Sequence, residues 1–138
     1  MVNPEILRLR LSTLREYYGR LTRLKKFTRA HFKEDPMIHA AVERCLQISA
    51  QTMIDIAGHI VADQNLGSPQ DYRETFRILG EHKIISKPFS QKLQDWAGFR
   101  NILVHDYVKL DLDKVYDTLQ NDLRDIEQFA KRFAQFLK

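Results

Sequence analysis

Arg100 and His105 stand five residues apart in the segment Arg100-Asn101-Ile102-Leu103-Val104-His105-Asp106-Tyr107, and together these two residue types suit phosphate chemistry. A guanidinium is a permanently charged fork of donors that matches phosphate oxygens. An imidazole exchanges its proton near neutral pH and so serves as acid or base. Asn101 can position the histidine or bind a phosphate, although the next residue of a helix departs by roughly 100° from Arg100. A phenol, with an ordinary pKa of about 10, is a poor general base at neutral pH. Tyr107 is therefore better suited to hydrogen-bonding a phosphate or stacking on a base. Structural uses stand beside these roles. His105 could cap the last carbonyls of a helix, Arg100 could pair with Asp95 or Asp106, and Tyr107 could be a core tyrosine at a helix end.

Positions five apart lie roughly 140° apart around an α-helix, so one helical face cannot carry both Arg100 and His105. The helix that delivers them is expected to end between them or to tighten. It opens at Ser86 with Pro88. Phe89, Leu93, Trp96 and Ile102 or Leu103 should face inward, while Gln91, Lys92, Gln94 and Asp95 form the polar side.

The remaining elements also read as helices. Asn3 is an N-cap with Pro4 at the first helical position and Glu5 favoured by the dipole. Leu7, Leu11, Leu14, Tyr18 and Leu21 continue a stripe expected to reach about His31. Asp35-Pro36 repeats the cap-and-proline signal, and a second long helix should run to about Asp63, forming a hairpin with the first. Gln64 to Ser68 reads as a loop, with Gly67 after the helix end. Ser68-Pro69 should start a short helix carrying Tyr72, Phe76 and Leu79, closed by Gly80. A final stripe, capped by Asp111 or Asp113, takes in Leu112, Val115, Leu119, Ile126, Ala130, Phe133 and Leu137. No strand-type alternation persists. The expected fold is all-α, an up-and-down bundle of four main helices plus a short extra helix, in one domain over residues 1–138.

Composition agrees with a single globular core, since 43% of the 138 residues are hydrophobic and only 5 are Gly and 4 Pro. No apolar run approaches the roughly 20 residues of a membrane span, and the charged N-terminus is unlike a signal peptide. A soluble, cytoplasmic protein is expected. The single cysteine, Cys45, excludes an internal disulfide and reads as a small buried hydrophobe in its apolar stripe. The net charge is +4, and the excess is concentrated in Arg8, Arg10, Arg15, Arg20, Arg23, Lys25, Lys26, Arg29 and Lys33, opposed there only by Glu16. Such a strip attracts polyanions, could contact an acidic protein, or is a solvated helix face.

Asp55, His59 and Asp63 recur at four-residue intervals and should project from nearly one helix face. A helix-surface hydrogen-bond ladder is the expected use. A weak metal site is the alternative, and Asp55 or His59 could instead face the cleft of Arg100. His31, His39 and His82 take no assigned role. No Gly-rich phosphate cradle and no zinc-type Cys or His spacing occurs, so no metal and no cofactor is expected.

Arg-x4-His-x-Tyr, with Asn101 after the arginine and an apolar trio before the histidine, resembles the signature of the HepT-like ribonucleases of the HEPN superfamily. Asp55-Ile56-Ala57-Gly58-His59-Ile60-Val61 and Tyr72-Arg73-Glu74-Thr75-Phe76 resemble further family stretches, so the likeness covers most of the chain. It implies a metal-independent endoribonuclease, the toxin of a toxin–antitoxin system. RNA carries its own nucleophile, the 2′-hydroxyl, and cleavage then needs a base, an acid for the leaving 5′-oxygen and positive charge on the phosphorane. The resemblance implies Arg100 and His105 as catalytic, Asn101 and Tyr107 as supporting, and a homodimer whose two motifs share one cleft. It also implies Tyr107 as the residue to which a partner nucleotidyltransferase antitoxin, MntA-like, attaches AMP. Added phosphate would pair with the arginines that otherwise bind RNA. The alternatives are a non-catalytic helical dimer that binds a nucleotidyltransferase or nucleic acid, and a carrier whose main functional atom is on Tyr107.

Overall fold

The computed structural model describes residues 2–105, 108 and 110–138. Among them are seven α-helices and no strand: α1 Pro4–Leu24, α2 Arg29–Glu34, α3 Pro36–Asp63, α4 Tyr72–Glu81, α5 Lys87–His105, α6 Leu112–Asn121 and α7 Leu123–Ala134, followed by a 3-10 turn over Gln135–Leu137. The fold is the expected all-α bundle. Long α3 is its centre, packed against α1, α4 and α5. α7 lies along α1, and α4 lies along α5. The four main elements are α1, α3, α5 and the α6–α7 pair.

The helix starts follow the local signals. Asn3 Oδ1 accepts from the Glu5 and Ile6 amides at 3.1 and 3.2 Å, and Asp35 Oδ1 accepts from the Met37 amide at 2.9 Å, just before Pro36. Leu7, Leu11, Leu14 and Leu21 bury the stripe of α1.

Several boundaries differ from the sequence expectation. The first helix stops at Leu24 and not near His31. Thr28 starts a new helix there, its hydroxyl accepting from the His31 amide at 3.2 Å, because a threonine oxygen offers the backbone an alternative to continuing the helix. The resulting α2 buries Phe32 completely, so two short helices, α2 and α4, lie in the connections where one was expected. The turn after α3 is made by Asn65, in the left-handed region at φ 54, with the Leu66 amide reaching back to the Val61 carbonyl at 3.0 Å. The next helix starts at Tyr72 with Asp71 as its cap, not at Ser68-Pro69. Asp71 Oδ1 accepts from the Glu74 amide at 2.8 Å, while the Glu74 carboxylate accepts from the Gln70 amide at 3.1 Å.

Gly80 lies inside α4 and does not end it. Its missing side chain serves packing, since a Cβ there would come 2.7 Å from the Ser90 Cβ. That close crossing lets Ser90 Oγ donate to the Phe76 carbonyl at 2.7 Å. The final stripe is two helices, broken at Asp122 (φ −114, ψ 3). Leu119 and Ile126 are seven residues apart, so the break leaves the apolar period undisturbed. After it, Leu123, Asp125 and Phe129 are also buried.

Cys45 is buried, and burial pushes its thiol above the ordinary range. Among the described residues no helix is long and apolar enough to cross a membrane.

Candidate active site at the end of the fifth helix

α5 is held from two sides before it reaches Arg100. α4 is clamped to it at Gly80 and Ser90. From α7, the buried Asp125 carboxylate accepts the Trp96 indole N–H at 3.1 Å and meets Lys92 at 3.6 Å. Trp96 precedes Arg100 by one turn, so this bond fixes the segment that aims the arginine.

α5 runs through both motif residues and ends on His105. The expected break between Arg100 and His105 is absent. The two therefore leave a helix roughly 140° apart and about 7.5 Å apart along its axis. His105 is exposed and Arg100 is half-buried. Asp106 and Tyr107 lie outside the described residues.

Arg100 makes no ion pair with Asp95, which instead lies 4.0 Å from Arg73. Its Nε donates to Gln51 Oε1 on α3 at 2.7 Å, and its Nη1 donates to Asn101 Oδ1 at 3.2 Å. The Asn101 contact corrects the expectation that neighbouring helix positions point apart, because the long arginine stem bends back over the turn. The guanidinium carbon lies 5.2 Å from the centroid of the Tyr72 ring, a cation–π contact. α3, α4 and α5 thus meet at one guanidinium.

The four-residue series on α3 divides. Asp55 belongs to the surroundings of Arg100: its Oδ1 accepts from Gln51 Nε2 at 2.9 Å, and its Oδ2 from Arg10 Nη1 of α1 at 3.2 Å. His59 does not, because its Nε2 accepts the Asn3 backbone N–H at 3.3 Å and so joins the start of α1 to α3. That bond requires the proton on Nδ1. Asp55 thus keeps one i, i+4 bond along α3, to Gln51, while Asp55 and His59 each also reach α1 or its first cap. Among the described residues no group of three or more His, Cys, Asp or Glu side chains is placed to hold a metal ion.

The basic strip is partly consumed inside the molecule. Arg29 bridges Asp113 and Asp117 at 3.0 and 2.7 Å, and Lys33 meets Asp113 at 3.0 Å, tying α2 to α6. Hydrogen bonds from Lys33 and then Arg29 hold the Asp113 carboxyl below its ordinary range, and Asp117 and Asp113 raise the Arg29 guanidinium. Arg10 is paired with Asp55, and Arg20 with Glu16 at 3.2 Å.

The sequence gives Gln51 no role, and it marks Tyr72 and Arg10 only as part of a family-like stretch and of the basic strip, not as neighbours of Arg100. Gln51 was within reach, since it lies one turn before Asp55 on the same four-residue series. Tyr72 and Arg10 come from other helices, and only packing brings them here.

An all-α bundle whose fifth helix carries Arg100-Asn101 and ends on His105 is similar in architecture to the HEPN class of domains. The profile of the family described as Ribonuclease HepT-like matches residues 14–133. The chain belongs to the HepT-like ribonuclease family and is an endoribonuclease. It is 42% identical over 100 residues to the mRNA nuclease HepT of Shewanella oneidensis, covering 72% of this chain and 75% of that one. With the tRNA nuclease HepT of Aphanizomenon flos-aquae it shares 24% identity over 136 residues, 99% and 92% of the two chains. Among solved structures, the tri-AMPylated HEPN toxin of Shewanella oneidensis in complex with its MNT antitoxin superimposes with a TM-score of 0.87 at 35% identity, covering 94% and 97%. A toxin–antitoxin crystal structure with AMP-PNP gives a TM-score of 0.88 at 34% identity, covering 95% and 98%.

Proposed function

We propose that the chain is the toxin of a toxin–antitoxin pair and cleaves RNA in the cytoplasm without a metal ion. The observation that carries this reading is the half-buried Arg100, whose Nε is tied to Gln51 and whose Nη1 meets Asn101, on the same helix whose exposed last residue is His105. In the reaction the 2′-hydroxyl oxygen attacks the adjacent phosphorus, its proton passes to a base, the P–O5′ bond breaks, and an acid protonates the departing oxygen. The products are a 2′,3′-cyclic phosphate and a 5′-hydroxyl. His105 does the acid or base work, and Arg100 carries the charge that builds on the phosphorane. Asn101, already bonded to Nη1, steadies the arginine.

One chain offers one such histidine. A homodimer that sets two motifs across a two-fold axis supplies both acid and base. It also suits the separation of Arg100 and His105 around α5. The half-exposed Tyr72 and Ile102, at 38% and 39%, give the site an apolar margin.

For regulation, Tyr107 is the acceptor of AMP from an MntA-like nucleotidyltransferase antitoxin. The phenol oxygen attacks the α-phosphorus of a nucleoside triphosphate and pyrophosphate leaves. The tri-AMPylated relative in complex with its MNT antitoxin supports this assignment. The added phosphate then competes for Arg100.

The test is incubation of RNA with the parent and with His105→Ala in EDTA, reading the product ends. Cleavage to cyclic phosphate by the parent, reduced about 10²–10⁴-fold in the variant, is expected. Parental activity in His105→Ala would overturn the mechanism. Absence of cleavage by a parent whose intact mass shows no adduct would favour the non-catalytic dimer.

A further inference from the structure

We propose that Gln51 and Asp55 are positioning residues that lock the Arg100 guanidinium in place while, among the described residues, setting no carboxylate on it. This rests on the reading that Arg100 holds the scissile phosphate. The four side chains form one line across three helices: Arg10 on α1, Asp55 and Gln51 on α3, and Arg100 on α5. Gln51 and Asp55 are four residues apart, so they share a face of α3.

The middle member of the line is an amide between a carboxylate and a guanidinium, and chemistry allows it one orientation. The NH2 group must face Asp55, which only accepts, and the carbonyl must face Arg100, which only donates. Reversing the amide would set oxygen against oxygen and N–H against N–H at 2.9 and 2.7 Å. Asp55 therefore orients the oxygen that holds Nε.

Arg10 balances the Asp55 charge at 3.2 Å, so this pair adds little net charge beside Arg100. A carboxylate at position 51, with Asp55 also changed to Asn so that a donor still faces it, would grip the guanidinium more firmly. It would also neutralise the field that the phosphorane needs. Tyr72 covers a ring-facing side of the same guanidinium at 5.2 Å without adding charge.

The amide spacer thus separates two functions that a carboxylate would confuse, holding a cation and cancelling it. The prediction is an order of damage in which the better grip gives the worse enzyme. Steady-state cleavage of a short RNA in EDTA is measured for the parent, Gln51→Ala, the double variant Gln51→Glu with Asp55→Asn, Asp55→Asn alone and Arg100→Ala, together with the guanidinium Nε–H signal of Arg100 in a 1H–15N spectrum. Gln51→Ala should lower kcat about tenfold and lose the protection of the Nε–H against exchange. Gln51→Glu in the Asp55→Asn background should retain or increase that protection yet lower kcat/KM about a hundredfold. Asp55→Asn, which frees the amide to turn, should lower kcat about threefold to tenfold with a partly protected Nε–H.

The double variant Gln51→Glu with Asp55→Asn at parental activity, or more active than Gln51→Ala, would overturn the proposal. So would an Nε–H equally protected in parent and Gln51→Ala, a readout that does not depend on catalysis. Arg100→Ala cleaving at the parental rate would instead refute the role of Arg100 itself, whatever the Nε–H signal shows.

Discussion

Replacing Arg100 with Lys keeps one positive charge and removes the fork, so it measures what the fork contributes. In the structure Nε is occupied by Gln51 at 2.7 Å and one Nη1 proton by Asn101 at 3.2 Å. The proposed mechanism then leaves the outer Nη1 and Nη2 protons for two phosphate oxygens. An ammonium is a single point of donation on a shorter head group. If it reaches the phosphate, it abandons Gln51; if it stays on Gln51, it misses the phosphate. The loss is one charge-assisted bond to phosphate, about 1.5–3 kcal/mol, plus about 1 kcal/mol for a half-buried Gln51 oxygen left without its donor. Together these correspond to a fall of roughly 10²–10³-fold in kcat/KM. Because the charge is needed most as the phosphorane forms, the fall should lie mainly in kcat. The assay is cleavage of a defined RNA in EDTA under single-turnover and steady-state conditions, with thermal melting to verify folding. A folded Arg100→Lys within about fivefold of the parent would refute the bidentate argument.

Other outcomes follow from the packing around the site. Asp125→Ala should lower stability by about 2–3 kcal/mol, roughly 8–12 °C in melting temperature, because it strands the buried Trp96 N–H. Adding Trp96→Phe should then cost much less than it does alone; simple additivity in the double-mutant cycle would show that the bond is unimportant. Asp122 behaves in the opposite sense to a paired carboxylate. Burial first, and the nearby Asp125 charge second, raise its carboxyl above the ordinary 3.8. The folded chain then holds a proton that the unfolded chain releases, so stability falls as pH rises through the window above 3.8. Asp122→Asn should raise the melting temperature at pH 7 and lose that advantage as the pH approaches the ordinary carboxylate value; an advantage independent of pH would refute the assignment. Asp113 has the reverse sign, its folded value being lowered by Lys33 and Arg29. The stability it lends is present above the unfolded value and disappears as pH falls through the folded one. Asp113→Asn should therefore destabilise at pH 7 and have little effect in strong acid, as melts across pH would show.

Much of this molecule is legible in its residues one turn at a time. Asn3-Pro4 and Asp35-Pro36 start helices through bonds that span two or three residues, and the Leu7-Leu11-Leu14-Leu21 stripe states which face of α1 is buried. The motif Arg100-Asn101 and His105 is equally local, and so is the all-α class. The errors occurred where two local signals competed. The α1 stripe points past Leu24, yet the Thr28 hydroxyl takes an amide and begins α2. The last stripe keeps its period across Asp122 although the backbone does not.

By itself, then, the sequence determined the all-α class, most of the helices and their buried faces, because caps and 3.6-residue periodicity are written within a few neighbours. It did not determine what their side chains touch. Arg100 meets Gln51 across 49 positions, and Trp96 meets Asp125 across 29. Gly80 is needed for the crossing with Ser90 and not for a helix end. Such partners are chosen by how apolar stripes pack, since burial supplies most of the free energy and is indifferent to which polar groups arrive together. Only the tertiary structure could place a glutamine from another helix against the arginine of the motif.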